Sequence, residues 1–158
     1  MSTFPVSAHE QTSNNRLIIL GVAESDAHVV ANKLIEYELR LVGYNVLNLG
    51  ACTPIDEFIG AFKANPNANA IIIGSLNGHA YEDLKELEEA KRDLLITCPV
   101  IVGGNLGVTR DQATRTRQIL LSLGVDYVLD DASELLSVLS NLPNRNSSLV
   151  TPERRIVS

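Results

Sequence analysis

Three short apolar runs constrain what this chain can fold into. Leu17 to Val22, Ala70 to Gly74 and residues 99–102 contain no polar side chain and do not alternate. A strand with one face in water alternates apolar with polar. An unbroken apolar run suits a strand buried on both faces of a parallel sheet. Each run leads into a polar or glycine-containing loop and then into residues with helical spacing. After the first run, Val30, Leu34, Ile35, Leu41 and Val42 can share one helix face. Parallel strands need crossovers of this kind.

Taken in order, residues 1–15 are polar and aperiodic and read as a disordered arm. The first strand, Leu17–Val22, is followed by a helix over 27–42, which Gly43 stops in a left-handed cap. A second strand covers 44–49. Thr53-Pro54 then reads as a helix start, with the hydroxyl as cap and the proline at the first helical position. That helix runs to about Ala64, where Asn65-Pro66-Asn67 breaks it. The third strand is Ala70–Gly74, and its helix covers 81–93 with Leu84, Leu87 and Ala90 inside. The fourth strand, 99–102, leads to Gly103-Gly104-Asn105 and a helix over 109–123. A short strand at 126–129 and a helix over 132–142, ended by Pro143, complete the folded part. Residues 143–158 read as a disordered tail, which leaves one domain over 16–142. The expected fold is α/β and flavodoxin-like (Rossmann-like): a five-stranded parallel sheet in the order 2-1-3-4-5, with helices on both faces.

Composition removes several classes of function. The net charge is −6 with no basic block, so no nucleic-acid surface is expected. With no tryptophan, three phenylalanines and four tyrosines, no stacking platform for single strands is expected either. No apolar run approaches the ~18 residues needed to span a bilayer, so no membrane partner is expected. No basic-then-apolar leader is visible. Cys52 and Cys98 lack C-x-x-C spacing and read as reduced thiols of a cytoplasmic protein.

In an open α/β sheet, ligands bind beyond the carboxyl ends of the strands. The loops there are 24–28, 75–79 and 103–107. The first carries Asp26 and His28, and this pair admits two readings. Ser25 or Asp26 could cap the helix, leaving His28 in its first turn. Alternatively, His28 could bind a metal through one ring nitrogen while Asp26 accepts a hydrogen bond from the other. The second loop offers His79 with Glu82 and Asp83, which reads as a solvated helix start with acids near its positive end. The third, with Gly103 and Gly104, allows a bulky ligand close to backbone, or is an ordinary turn. Neither a G-x-G-x-x-G fingerprint nor a phosphate loop occurs, and no G-x-S-x-G elbow is present. A phospho-receiver would need an aspartate after the third strand and a lysine after the fifth. Here the third strand ends in Gly74-Ser75-Leu76, and no lysine follows Lys91.

Together the three loops resemble the cobalamin-binding module. Its pattern is D-x-H-x-x-G, about forty residues, S-x-L, roughly 26 to 28 residues, then G-G. Asp26-Ala27-His28-Val29-Val30-Ala31 stands first, Gly74-Ser75-Leu76 second and Gly103-Gly104 third. Between Ala31 and Gly74 lie 42 residues, and between Leu76 and Gly103 lie 26. More closely, the chain resembles the small subunits of glutamate (methylaspartate) mutase. Ser25-Asp26-Ala27-His28, Asn32-Lys33-Leu34, Gly43-Tyr44-Asn45-Val46 and Val102-Gly103-Gly104-Asn105 carry that likeness.

The resemblance implies an adenosylcobalamin-binding subunit of an isomerase that converts glutamate to 3-methylaspartate. It implies His28 as the lower cobalt ligand, with Asp26 orienting it and the cofactor's own base displaced. The displaced nucleotide tail would enter a slot beside the sheet. Ser25, Ala27, Val29, Gly74, Ser75, Leu76, Gly103, Gly104, Asn105, Leu106 and Gly107 complete the implied cofactor-binding set. The implied partner is a large TIM-barrel mutase subunit in a heterotetramer, without which this chain is inactive. The alternative is a non-catalytic carrier or sensor of the corrinoid methyl-transfer type. Two positions depart from the pattern: Ala31 replaces a glycine, and Gly74 replaces a serine whose hydroxyl could bond the buried tail. Ser75 is a poor substitute, because successive strand residues face opposite sides.

Overall fold

The computed structural model describes residues 15–24, 29–75, 79–104 and 109–145. Its five strands are β1 (Leu17–Val22), β2 (Asn45–Asn48), β3 (Ala70–Gly74), β4 (Val100–Gly103) and β5 (Tyr127–Leu129). All pair in parallel, in the order β2-β1-β3-β4-β5. This is the flavodoxin-like order expected from the apolar runs. Between the strands lie α1 (Val29–Leu41), α2 (Ile55–Ala64), α3 (Ala80–Leu84), α4 (Leu87–Arg92) and α5 (Arg110–Ser122). After β5 come a 3-10 turn (Ala132–Glu134) and α6 (Leu135–Ser140).

The apolar runs are buried on both faces, as their lack of alternation requires. Ile19, Ile71, Ile73 and Val102 join Phe58 of α2, Leu87 of α4 and Leu120 of α5 in one cluster. Ile18, Leu20, Ile72 and Ile101 join Leu39 of α1 and Leu135 and Leu139 of α6 in the other. Thus α1 and α6 cover one face of the sheet and the remaining helices cover the other. Each fully buried aliphatic side chain contributes about 1.5–3 kcal/mol.

The helix ends follow local chemistry. Gly43, at φ 100°, stops α1, and the next amide, Tyr44 N–H, donates back to the Leu39 carbonyl at 3.1 Å. Thr109 opens α5 with a full capping box to Gln112. Thr53 departs from expectation. Its hydroxyl donates backward to the Gly50 carbonyl at 3.0 Å, and Pro54 itself stands at the N-cap of α2 with no side-chain cap. The backbone explains why: Thr53 N–H donates to Val22 O, which ties this residue to the end of β1.

Two further helices differ from the sequence reading. The expected helix over 81–93 is broken into α3 and α4. Leu84 and Leu87 stay buried across the break, so packing sets a path that no glycine or proline marks. In α1 the helical spacing is present but the apolar stripe faces outward. Val30 is 74% exposed, Leu34 57% and Leu41 61%, whereas the buried residues are Asn32 and Leu39. Past Leu142, Arg145 is tied to the body. Its N–H donates to Asn69 Oδ1 at 2.9 Å, and its guanidinium lies 5.7 Å from the Phe62 ring centre.

Candidate cofactor-binding site

Register places the loop-bearing strand ends in one row. Val22 pairs with Gly74, Gly74 with Gly103, and Gly103 with Leu129. The row below it on the same face is Leu20, Ile72 and Ile101, which are buried under α1 and α6. Two adjacent glycines in the upper row leave out the side chains that would otherwise fill this space. The result is a cavity of about 210 Å³ between the sheet, α1 and the α6 side. It lies beside the β1–β3 switch of strand order, where open α/β sheets bind ligands.

The glycines are not forced by crowding. A Cβ on Gly74 would meet nothing closer than Val22 Cγ2, at 3.9 Å, and one on Gly103 would stand 3.7 Å from Leu129. Both are ordinary contacts, so a side chain at either position would occupy the cavity. Gly104 differs, because its φ of 128° belongs to glycine. Alternation along β3 puts Ile72 on the cavity face and Ile71 and Ile73 on the other. Continued, it places Gly74 on the cavity face; Ser75, just past the end of the strand, also borders the cavity. Ser75 is buried, and its Oγ has no partner among the described residues.

The α1 wall is formed by Ala31, Asn32 and Ile35. Asn32, only 4% exposed, belongs to a polar network running from β2 to the helix. Asn48 Oδ1 accepts from Gly50 N–H at 2.9 Å. Its Nδ2 donates to Asn32 Oδ1 at 2.7 Å and to Glu36 Oε1 at 2.8 Å. Arg40 grips the other Glu36 oxygen through Nε and Nη2 and donates to the Val46 carbonyl. The hydrogen bond from Asn48, then that from Arg40, holds the Glu36 carboxyl below the usual carboxylate range. At the opposite rim Asp130 meets Arg117 at 2.8 Å.

Of the candidates named from sequence, the structure brings Gly74, Ser75, Gly103 and Gly104 together around this cavity. Val29 begins α1, half exposed and outside the lining. Ser25, Asp26, Ala27, His28, Leu76, Asn105, Leu106 and Gly107 lie outside the described residues. Sequence reasoning missed Asn32, Asn48 and Asp130. The available signal was two asparagines, one within the helix following the first apolar run and one ending a strand. A buried asparagine must find partners, so such positions invite pairing. His79 stands at the start of α3, exposed, and no three metal-ligating side chains gather among the described residues. Burial pushes the Cys98 thiol up to about 11, which keeps it protonated and unreactive.

A parallel sheet with an apolar cavity at its switch point is the arrangement in which open α/β domains bind ligands. The family described as "B12 binding domain" matches residues 16–139. Glutamate mutase sigma subunit 1 of Haloarcula marismortui is 38% identical over 127 residues, spanning 78% of this chain and 83% of that subunit. Sigma subunit 2 of the same organism is 34% identical, over 88% of this chain and 96% of its own length. The sigma subunit of Treponema denticola is 32% identical over 79% and 90%. The chain belongs to the B12-binding domain family and, within it, to the glutamate mutase sigma subunits. Among solved structures, a cobalamin-binding protein of Desulfitobacterium hafniense superposes with a TM-score of 0.65 at 17% identity, covering 85% of this chain and 66% of its own. The monomethylamine corrinoid protein of Methanosarcina barkeri gives 0.65 at 17%, over 84% and 61%. These two likenesses concern the fold.

Proposed function

We propose that this chain is the cobalamin-carrying subunit of a glutamate mutase, with adenosylcobalamin as its cofactor and a large subunit as its partner. The observation that carries the reading is the cavity opened by Gly74 and Gly103 at the end of β3 and β4. The residues present fit the group. The walls are almost entirely apolar, as a flat aromatic base requires, and one buried amide donor, Asn32 Nδ2, has no partner among the described residues. When bound, adenosylcobalamin supplies the radical chemistry that moves the carbon skeleton.

The residues of the chain hold and orient that group. In this reading His28 ligates cobalt through one ring nitrogen. Asp26 would accept a hydrogen bond from the other ring N–H, which fixes the tautomer and raises the basicity of the ligand. Gly74 and Gly103 would leave room for the nucleotide tail in the cavity. Ser25, Ala27, Val29, Ser75, Leu76, Gly104, Asn105, Leu106 and Gly107 complete the proposed cofactor-binding set. The partner is a TIM-barrel subunit, a fold of about 250 residues that presents its site at one face, assembled with this chain as a heterotetramer. Closure of that face over the corrin excludes water and suppresses side reactions. In this reading the cofactor-binding domain spans residues 16–142. The carrier or sensor alternative gains no support from the corrinoid-protein likenesses, which at 17% identity concern the fold alone.

The test is turnover of glutamate with adenosylcobalamin. The pure chain should be inactive, and adding a glutamate mutase large subunit should give 3-methylaspartate. Turnover by the isolated chain, or silence with a large subunit despite bound cofactor, would contradict the proposal.

A further inference from the structure

Asn32 presents a donor whose direction the surrounding hydrogen bonds determine. A backbone N–H can only donate, so the atom of Asn48 facing Gly50 N–H must be its oxygen. The Asn48 amide nitrogen then spends its two hydrogens on Asn32 Oδ1 and Glu36 Oε1. Asn32 must therefore turn its oxygen to Asn48 and its NH₂ the other way. That nitrogen is buried, belongs to a residue of the cavity wall and has no acceptor among the described residues. Buried polar groups are nearly always hydrogen-bonded, and an exception in a cavity wall calls for an explanation, such as a water or a ligand.

Among the described lining residues, the other unpartnered side-chain donor is Ser75 Oγ. Gly74 carries no hydroxyl, and Ser75 stands just past the end of β3. We infer that Asn32, clamped by Asn48 and Gly50, donates the hydrogen bond that anchors the buried nucleotide tail of the corrinoid. This rests on the cobalamin reading above. A benzimidazole has two ring nitrogens, and the one attached to ribose has no free lone pair. The nitrogen released from the metal is thus the atom of that ring able to accept from Asn32 Nδ2. Donor supply has moved from the strand to the helix, and Asn48 and Glu36 are the positioning residues that keep the donor pointed inward.

The experiment compares cobalamin with cobinamide, which keeps the corrin and lacks the nucleotide. Each is titrated into the full chain and into Asn32→Ala and Asn32→Asp, with binding read from the visible spectrum and folding from the melting temperature. Asn32→Ala enlarges the cavity, so any loss of affinity is not a steric block. Asn32→Asp keeps an oxygen toward Asn48 and, measured at a pH where the carboxyl is ionised, replaces the donor with a charged acceptor, which leaves a test if the alanine variant folds poorly. Both should bind cobalamin several-fold to tenfold more weakly, the worth of one net hydrogen bond. Neither should change cobinamide binding. Equal losses for both corrinoids, or no loss for cobalamin, would overturn the inference while leaving the cobalamin reading intact. Full retention in Asn32→Asp would show that no donor is needed there, which also overturns it. Failure of the unaltered chain to bind cobalamin would instead remove the reading on which the inference rests.

Discussion

Gly74 is where one residue most changes the expected chemistry. A Cβ at this position meets only ordinary contact, 3.9 Å from Val22 Cγ2, so a serine fits without moving the sheet. Its hydroxyl would enter the cavity as a further donor beside Asn32. Gly74→Ser should therefore tighten cobalamin binding by a modest factor, at most the ~1 kcal/mol of one net hydrogen bond. A cobalamin titration of the variant checks this. Weaker binding would mean that the cavity is shaped around glycine and that the tail fills the space a hydroxyl needs. Gly74 was legible in the sequence because the glycine interrupts a pattern. Asn32 was not, because its importance comes from Asn48 and Gly50, sixteen and eighteen positions later, which only the β1–β2 pairing brings beside it.

The strands were more legible than the helices, for a physical reason. A run such as Ile71-Ile72-Ile73 is apolar on both faces, so any placement in a layered sheet buries it. A helix stripe can face a core or a partner, and spacing alone does not say which. In α1 the stripe Val30, Leu34 and Leu41 is exposed, and the side turned inward carries Asn32 and Leu39. Similarly, Thr53 looked like a cap, but the isolated bridge between Ala23 and Thr53 commits its backbone to the sheet edge. The upper row of the sheet yields its own prediction. Gly103→Val puts a β-branched residue where strands favour one and extends its methyls into the cavity, with Leu129 3.7 Å from the Cβ. The fold should keep or slightly raise its melting temperature. Cobalamin should bind roughly tenfold or more weakly, because overpacking a filled slot costs about 1–3 kcal/mol. Unchanged affinity would mean that the tail does not use this cavity.

At the scale of the whole molecule, the contacts of Arg145 and the cavity sit at opposite edges of one sheet. At the amino ends of the strands, Arg145 closes the structure onto Asn69, Pro66 and Phe62. At the carboxyl ends, the glycine row and the buried amide leave an opening. Among the described residues no helix is long and apolar enough to cross a membrane. The layered fold was legible because three apolar runs and their loops repeat one plan. The cavity was legible only in outline, since its depth depends on how far α1 and α6 stand from the sheet. The central claim is that His28 replaces the cofactor's own base on cobalt while that base lies in the cavity. Electron paramagnetic resonance of bound cob(II)alamin tests it most directly. The unpaired electron couples to the axial nitrogen, giving triplets for ¹⁴N and doublets for ¹⁵N. Protein labelled with ¹⁵N-histidine should convert the triplets of the free cofactor to doublets, and His28→Gly should abolish that conversion. Triplets that persist with labelled protein and bound cofactor would contradict the account.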